Sequence, residues 1–163
     1  MNPELHLTIQ YAADCEAQLP RGKVQSWVQH AIDGVAKVYS EADQDLPYQQ
    51  LELTVRFADT DEVQALNKQY RHKDAPTNVL TFEYGIDENS VISADIIVCC
   101  AVLEHEALEQ EKPFLHHAAH LTIHGVLHAL GYDHIDPDDA EDMEELETEI
   151  LQLMNIPNPY LTK

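Results

Sequence analysis

The sequence predicts an α+β fold in a single domain spanning residues 1–163, with a small mixed sheet of about four strands covered by about five helices. Three observations carry this reading. Short strand-like segments, several of which alternate apolar and polar residues, all lie before Cys100. After Cys99 every periodic segment has helical spacing, and strands followed by helices indicate α+β rather than alternating α/β. The length of 163 residues and an apolar fraction of 44% suit one hydrophobic core.

Leu5–Tyr11 alternates and predicts the first strand. From Lys23 to Tyr39, Val24, Trp27, Val28, Ala31, Ile32, Val35 and Val38 recur at helical spacing. Leu51–Phe57 alternates again. Asp59 or Thr60 can cap the next helix, which runs to about Tyr70. Val79–Tyr84 predicts a third strand, Gly85–Ser90 a polar turn, and Ser93–Cys99 a fourth strand. Helices are expected over about Ala101–Gln110, Phe114–Leu130 and Pro137–Leu153. The second of these is apolar on more than one side and is expected to be central.

That central helix carries the segment with most chemical content, His124-Gly-Val-Leu-His128-Ala-Leu-Gly131-Tyr-Asp133-His134. His124 and His128 are four apart and project from one helix face. Gly131 suits a left-handed helix end, after which the chain can return His134 to the other two. Three imidazoles suit a divalent transition metal, zinc above others, and three protein ligands leave the open position that a catalytic metal needs. Zinc proteases place a glutamate general base directly after the first histidine. Here Gly125 stands there, and glycine moves no proton.

The formal net charge of −21 argues against nucleic acid as a partner when taken alone. The distribution tempers this, because Arg56, Lys68, Arg71 and Lys73 of the nine basic residues fall in one region. The acidic run from Asp136 to Glu149 reads first as a solvated helix face. The three cysteines form no disulfide framework and read as small buried residues. No secretory signal and no membrane-length apolar stretch is present, so a soluble cytoplasmic protein without membrane contact is expected.

Two segments together resemble a known family. Tyr70-Arg71-His-Lys73-Asp-Ala-Pro76-Thr77-Asn78-Val79-Leu80 and the histidine segment are similar to the bacterial YbeY family of metal-dependent endoribonucleases and rRNA maturation factors. The likeness extends over nearly the whole chain, including Met143-Glu-Glu-Leu-Glu-Thr-Glu-Ile. It implies one Zn2+ per chain held by His124, His128 and His134, and a functional arginine at Arg71. It further implies cleavage of single-stranded RNA in 16S rRNA 3′-end maturation and ribosome quality control, on ribosomal particles in the cytoplasm; DNA is not expected as a partner. Two departures are visible: Thr81-Phe82-Glu83 where members often carry Ser-Phe-Pro, and Ser93-Ala94-Asp95-Ile96 where they often carry Leu-Gly-Asp-Ile.

Arg71 is the candidate for holding phosphoryl oxygens as charge develops, since its planar fork binds two oxygens at once. The alternative is an Arg71 paired with Asp74 or a helix end. Lys73 can meet a backbone phosphate or simply be solvated. His120 lies one turn before His124 and can touch a ligand or the substrate, or serve as a core or surface histidine. Asp133 can orient an imidazole or only shape the turn. Two other functions remain open at this point: a ribosome-assembly factor with a structural zinc, and a zinc hydrolase acting on something other than RNA.

Overall fold

The computed structural model describes residues 3–132 and 137–160. Its elements are β1 (Glu4–Tyr11), α1 (Arg21–Glu41), β2 (Gln50–Ala58), α2 (Thr60–Arg71), β3 (Val79–Ile86), β4 (Val91–Cys99), α3 (Cys100–Glu109), α4 (Phe114–Ala129) and α5 (Pro137–Leu153). The fold is α+β as expected, with a four-stranded mixed sheet and five helices among the described residues.

The strand order is β1-β2-β4-β3. β1, β2 and β4 are parallel, and β3 lies antiparallel to β4 on the edge. The third strand runs beyond its expected end at Tyr84, because an irregularity between Glu83 and Gly85 and a φ of 79° at Gly85 carry the strand through the glycine. The turn is correspondingly shorter. Asp87 Oδ1 closes it by accepting from the backbone N–H of Asn89 (2.8 Å) and Val91 (3.0 Å).

The period of two sorts β2 and β4 into faces. Leu51, Leu53, Val55 and Phe57 of β2, with Ile92, Ala94, Ile96 and Val98 of β4, form the main core with α1, α4 and α5. Ala58, Leu80, Ile97 and Cys99 form a smaller core with Val63 of α2. The rest of that second face carries polar side chains, among them Thr8, Glu52, Thr54 and Asp95.

α4 is the central helix. It packs on β3, β4, α1, α3 and α5. Ile123 and Leu127 are fully buried, and burial of each such side chain stabilises by about 1.5–3 kcal/mol. The close approach to β4 requires Gly125, since a Cβ there would stand 2.6 Å from Ile96 Cγ2. α4 ends as its sequence predicts. The N–H of Gly131 bonds the carbonyl of His128 (3.1 Å), the N–H of Tyr132 bonds that of Leu127 (3.0 Å), and Gly131 has a φ of 104°. Asp59 caps α2 by accepting from the N–H of Glu62 at 2.8 Å.

One expectation is corrected in α5. The acidic run is not wholly a solvated face: the Glu147 side chain is fully buried, lying on the apolar face of α5 with Met143, Leu146, Ile150 and Leu151. Its burial is sustained by partners on α4.

Candidate metal centre

α4 carries a row of histidines. His117, His120, His124 and His128 follow at spacings of three and four, so they align along one side of the helix. The rings of His117 and His120 are 6.3 Å apart, as are those of His120 and His124. A carboxylate from a different element meets this row at each level: Glu106 of α3, Glu147 of α5 and Glu83 of β3.

His124 Nδ1–H donates to Glu147 Oε1 at 2.7 Å. The same oxygen lies 3.4 Å from His120 Nε2. The Tyr160 hydroxyl donates to Glu147 Oε2 and lies 3.2 Å from His120 Nε2. Burial alone would raise the Glu147 pKa, but hydrogen bonds and charge from His120 and His124 outweigh it and hold it at about 2. Burial, reinforced by the Glu147 carboxylate, pushes the Tyr160 phenol well up, so it remains a donor. On the far side of the row, His117 Nε2 lies 2.9 Å from Glu106 Oε1, which also accepts from Asn78 Nδ2 at 3.2 Å. Burial lowers the His117 pKa against the opposing pull of Glu106.

His128 Nδ1–H donates to Glu83 Oε1 at 2.8 Å. Both motif histidines therefore direct Nδ1 at a carboxylate. A neutral imidazole with Nδ1 protonated carries its lone pair on Nε2, and a carboxylate behind the ring is the usual support of a metal-ligating histidine. The donor set on α4 thus fits a divalent transition metal. Among the described residues no group of three or more His, Cys, Asp or Glu converges to hold an ion. The expected third ligand, His134, and its neighbour Asp133 lie outside the described residues.

The expected cationic cluster is divided by the structure. Arg56 is committed to Glu62, with Nε at 2.7 Å and Nη2 at 3.0 Å from its carboxylate. Lys68 lies 3.9 Å from Asp74, and Gln64 donates to the same carboxylate at 3.0 Å. Asp74 thus pairs with Lys68 and Gln64. Arg71 and Lys73 are exposed at the end of α2. His72 between them adopts a left-handed conformation (φ 60°) as the chain leaves the helix. Buried Asn67 anchors the following loop, its Nδ2 donating to the Ala75 carbonyl at 2.8 Å.

Beside the histidine row opens a cavity of about 850 Å³. Asn78, Glu106, His117, His120 and His124 line it, with the segment from Ile156 to Tyr160 opposite. Glu83, Glu147 and Tyr160 were not foreseen as site residues. For Glu147 a signal existed: it falls at helical spacing with the apolar residues of α5. For Glu83 the departure from Ser-Phe-Pro marked the position without revealing its partner. Tyr160 carried no signal.

A profile of the family described as Endoribonuclease YbeY matches residues 10–155. An endoribonuclease YbeY of Bordetella avium is 49% identical, over 98% of this chain and 95% of its own length. The endoribonuclease YbeY of Thiobacillus denitrificans is 45% identical, over 98% of this chain and 99% of its own. The solution structure of TM1509 from Thermotoga maritima shares the fold, with a TM-score of 0.57 at 22% identity and 92% of each chain covered. With a profile match over most of its length and relatives this similar, the chain belongs to the YbeY endoribonuclease family.

Proposed function

We propose that this protein is a zinc-dependent endoribonuclease that cuts single-stranded RNA in 16S rRNA 3′-end maturation and ribosome quality control, working on ribosomal particles in the cytoplasm. The family is metal-dependent. The observation that supports the reading most directly is the pair of α4 histidines, each with Nδ1 held by a carboxylate at 2.7–2.8 Å. His124, His128 and His134 would hold one Zn2+ per chain. Among the described residues no helix is long and apolar enough to cross a membrane.

When bound, the metal supplies Lewis acidity toward a phosphoryl oxygen and acidifies a water molecule. The protein's own residues supply the rest. Glu147 and Glu83 keep the α4 imidazoles in the Nδ1–H form. Arg71 would hold two phosphoryl oxygens with its guanidinium and stabilise the charge that grows on them. Lys73 would meet a neighbouring backbone phosphate. His120 shares Glu147 with His124, and so would act on the centre through that carboxylate. Asp133 would accept the second N–H of an imidazole. Gly125 supplies no base. The net charge of −21 makes binding to free RNA weak and dependent on low salt or Mg2+, so the ribosomal particle or a bound protein would supply much of the targeting.

The test is cleavage of an end-labelled single-stranded RNA by wild type and His128→Ala, purified in parallel, with and without a chelator. Cutting by wild type that is lost in His128→Ala, and lost and regained with chelator and Zn2+, supports the proposal. Equal cutting by both proteins overturns it.

A further inference from the structure

We propose that Glu83 is a positioning residue for His128: from the edge strand β3 it fixes the tautomer and orientation of that imidazole for metal binding. The inference rests on the metal-centre reading above. Its observation is the 2.8 Å hydrogen bond from His128 Nδ1 to Glu83 Oε1, across two elements that are distant in sequence.

Three features separate this contact from an incidental surface pair. The Glu83 side chain is 45% exposed, so neither the core nor the sheet requires a carboxylate there. Its other neighbours do not claim it, since among the described residues its carboxylate has no further hydrogen bond or ion pair. Its direction also follows from the backbone, because Glu83 stays in register with Ala94 and the strand's period of two puts it on the same face of β3 as Val79 and Thr81, whose side chains face α4 at Gly125. The arrangement repeats at His124, where buried Glu147 bonds Nδ1 at 2.7 Å. Glu147 is embedded in the core, whereas Glu83 stands at its margin, and positioning can be separated from folding only at Glu83.

The physical consequence is on affinity. A carboxylate that accepts Nδ1–H keeps the lone pair on Nε2 and raises its basicity, and removing such a partner typically costs about 10–100-fold in metal affinity. The experiment measures Zn2+ affinity of metal-free wild type, Glu83→Ala, Glu83→Gln and His128→Ala by competition with a chromophoric chelator. The metal-free proteins are also compared by thermal unfolding and by imidazole ¹⁵N NMR. The expected result for Glu83→Ala is an affinity weaker by about 10–100-fold, an unchanged metal-free unfolding temperature and loss of the single Nδ1–H tautomer at His128. Glu83→Gln should fall between, because its amide oxygen still accepts. Wild-type affinity and tautomer in Glu83→Ala, with Zn2+ binding lost in His128→Ala, would overturn the role of Glu83 and leave the metal centre standing. Wild-type affinity in His128→Ala would overturn the metal-centre reading and this inference with it. A metal-free Glu83→Ala destabilised in step with its lost affinity would make Glu83 structural, and also overturns the proposal.

Discussion

Gly125→Ala tests how closely α4 must approach the sheet. The new Cβ would stand 2.6 Å from Ile96 Cγ2, 3.4 Å from Val79 Cγ2 and 3.5 Å from Thr81 Oγ1. Carbon atoms pack at about 3.5–4.0 Å, so helix and strand would have to separate locally by about 1 Å. Ile96 cannot yield by itself. It is fully buried, and Cγ2 sits on the branched Cβ, where rotation is restricted. Overpacking of this kind costs about 1–3 kcal/mol. Replacing glycine by alanine inside a helix returns about 1 kcal/mol. The severe contact places the cost toward its upper end, and the net expectation is destabilisation by about 2 kcal/mol. The assay is urea unfolding followed by circular dichroism. Gly22→Ala is the internal control: it lies in the first turn of α1 with nothing within 4 Å of its added Cβ. It should be neutral or stabilising by up to about 1 kcal/mol. A Gly125→Ala protein as stable as wild type would refute the packing argument. Because Gly125 adjoins His124, the variant should also bind Zn2+ more weakly.

Three further outcomes are expected. Arg71→Ala and Arg71→Lys should each lower RNA cleavage by about 10²–10³-fold, with little change in unfolding temperature because Arg71 is exposed; full activity in the lysine variant would refute the argument from the guanidinium fork. Gly131→Ala forces a side chain onto a φ of 104° and should cost about 1–2 kcal/mol in urea unfolding. For His117, burial lowers the pKa below its ordinary value near 6.5, so the fold favours the neutral ring. That contribution is fully present above the unfolded value and is lost as pH falls from about 6.5 toward the folded value. Urea midpoints at about pH 7.5 and about pH 5.5 should therefore fall more steeply in wild type than in His117→Gln, and parallel declines would contradict this.

The order and type of the elements were legible because strand alternation and helical spacing are local properties of the chain. The Asp59 cap and the Gly131 helix end were legible for the same reason, since each is satisfied within a few residues. Boundaries shifted where a local signal had two meanings. Gly85 reads as a turn residue, but its positive φ serves an irregular strand. The i, i+4 geometry of His124 and His128 followed from the helix alone, and so did their suitability as ligands.

What the sequence could not reveal are the pairings made between distant segments. Glu147 belongs to an acidic run that looks solvated, yet α5 packs it against His124. Glu83 meets His128 only because β3 lies beside α4. Arg56 and Arg71 belong to one cationic region of the sequence, but the fold commits one to Glu62 and leaves the other exposed at the end of α2. Gly125 was read through the base it does not supply, while its spatial reason is contact with Ile96. Local spacing thus determined which residues share a helix face. Tertiary packing alone decided which carboxylates stand behind the imidazoles, because hydrogen bonds of under 3 Å between remote elements depend on how helix and sheet surfaces come together.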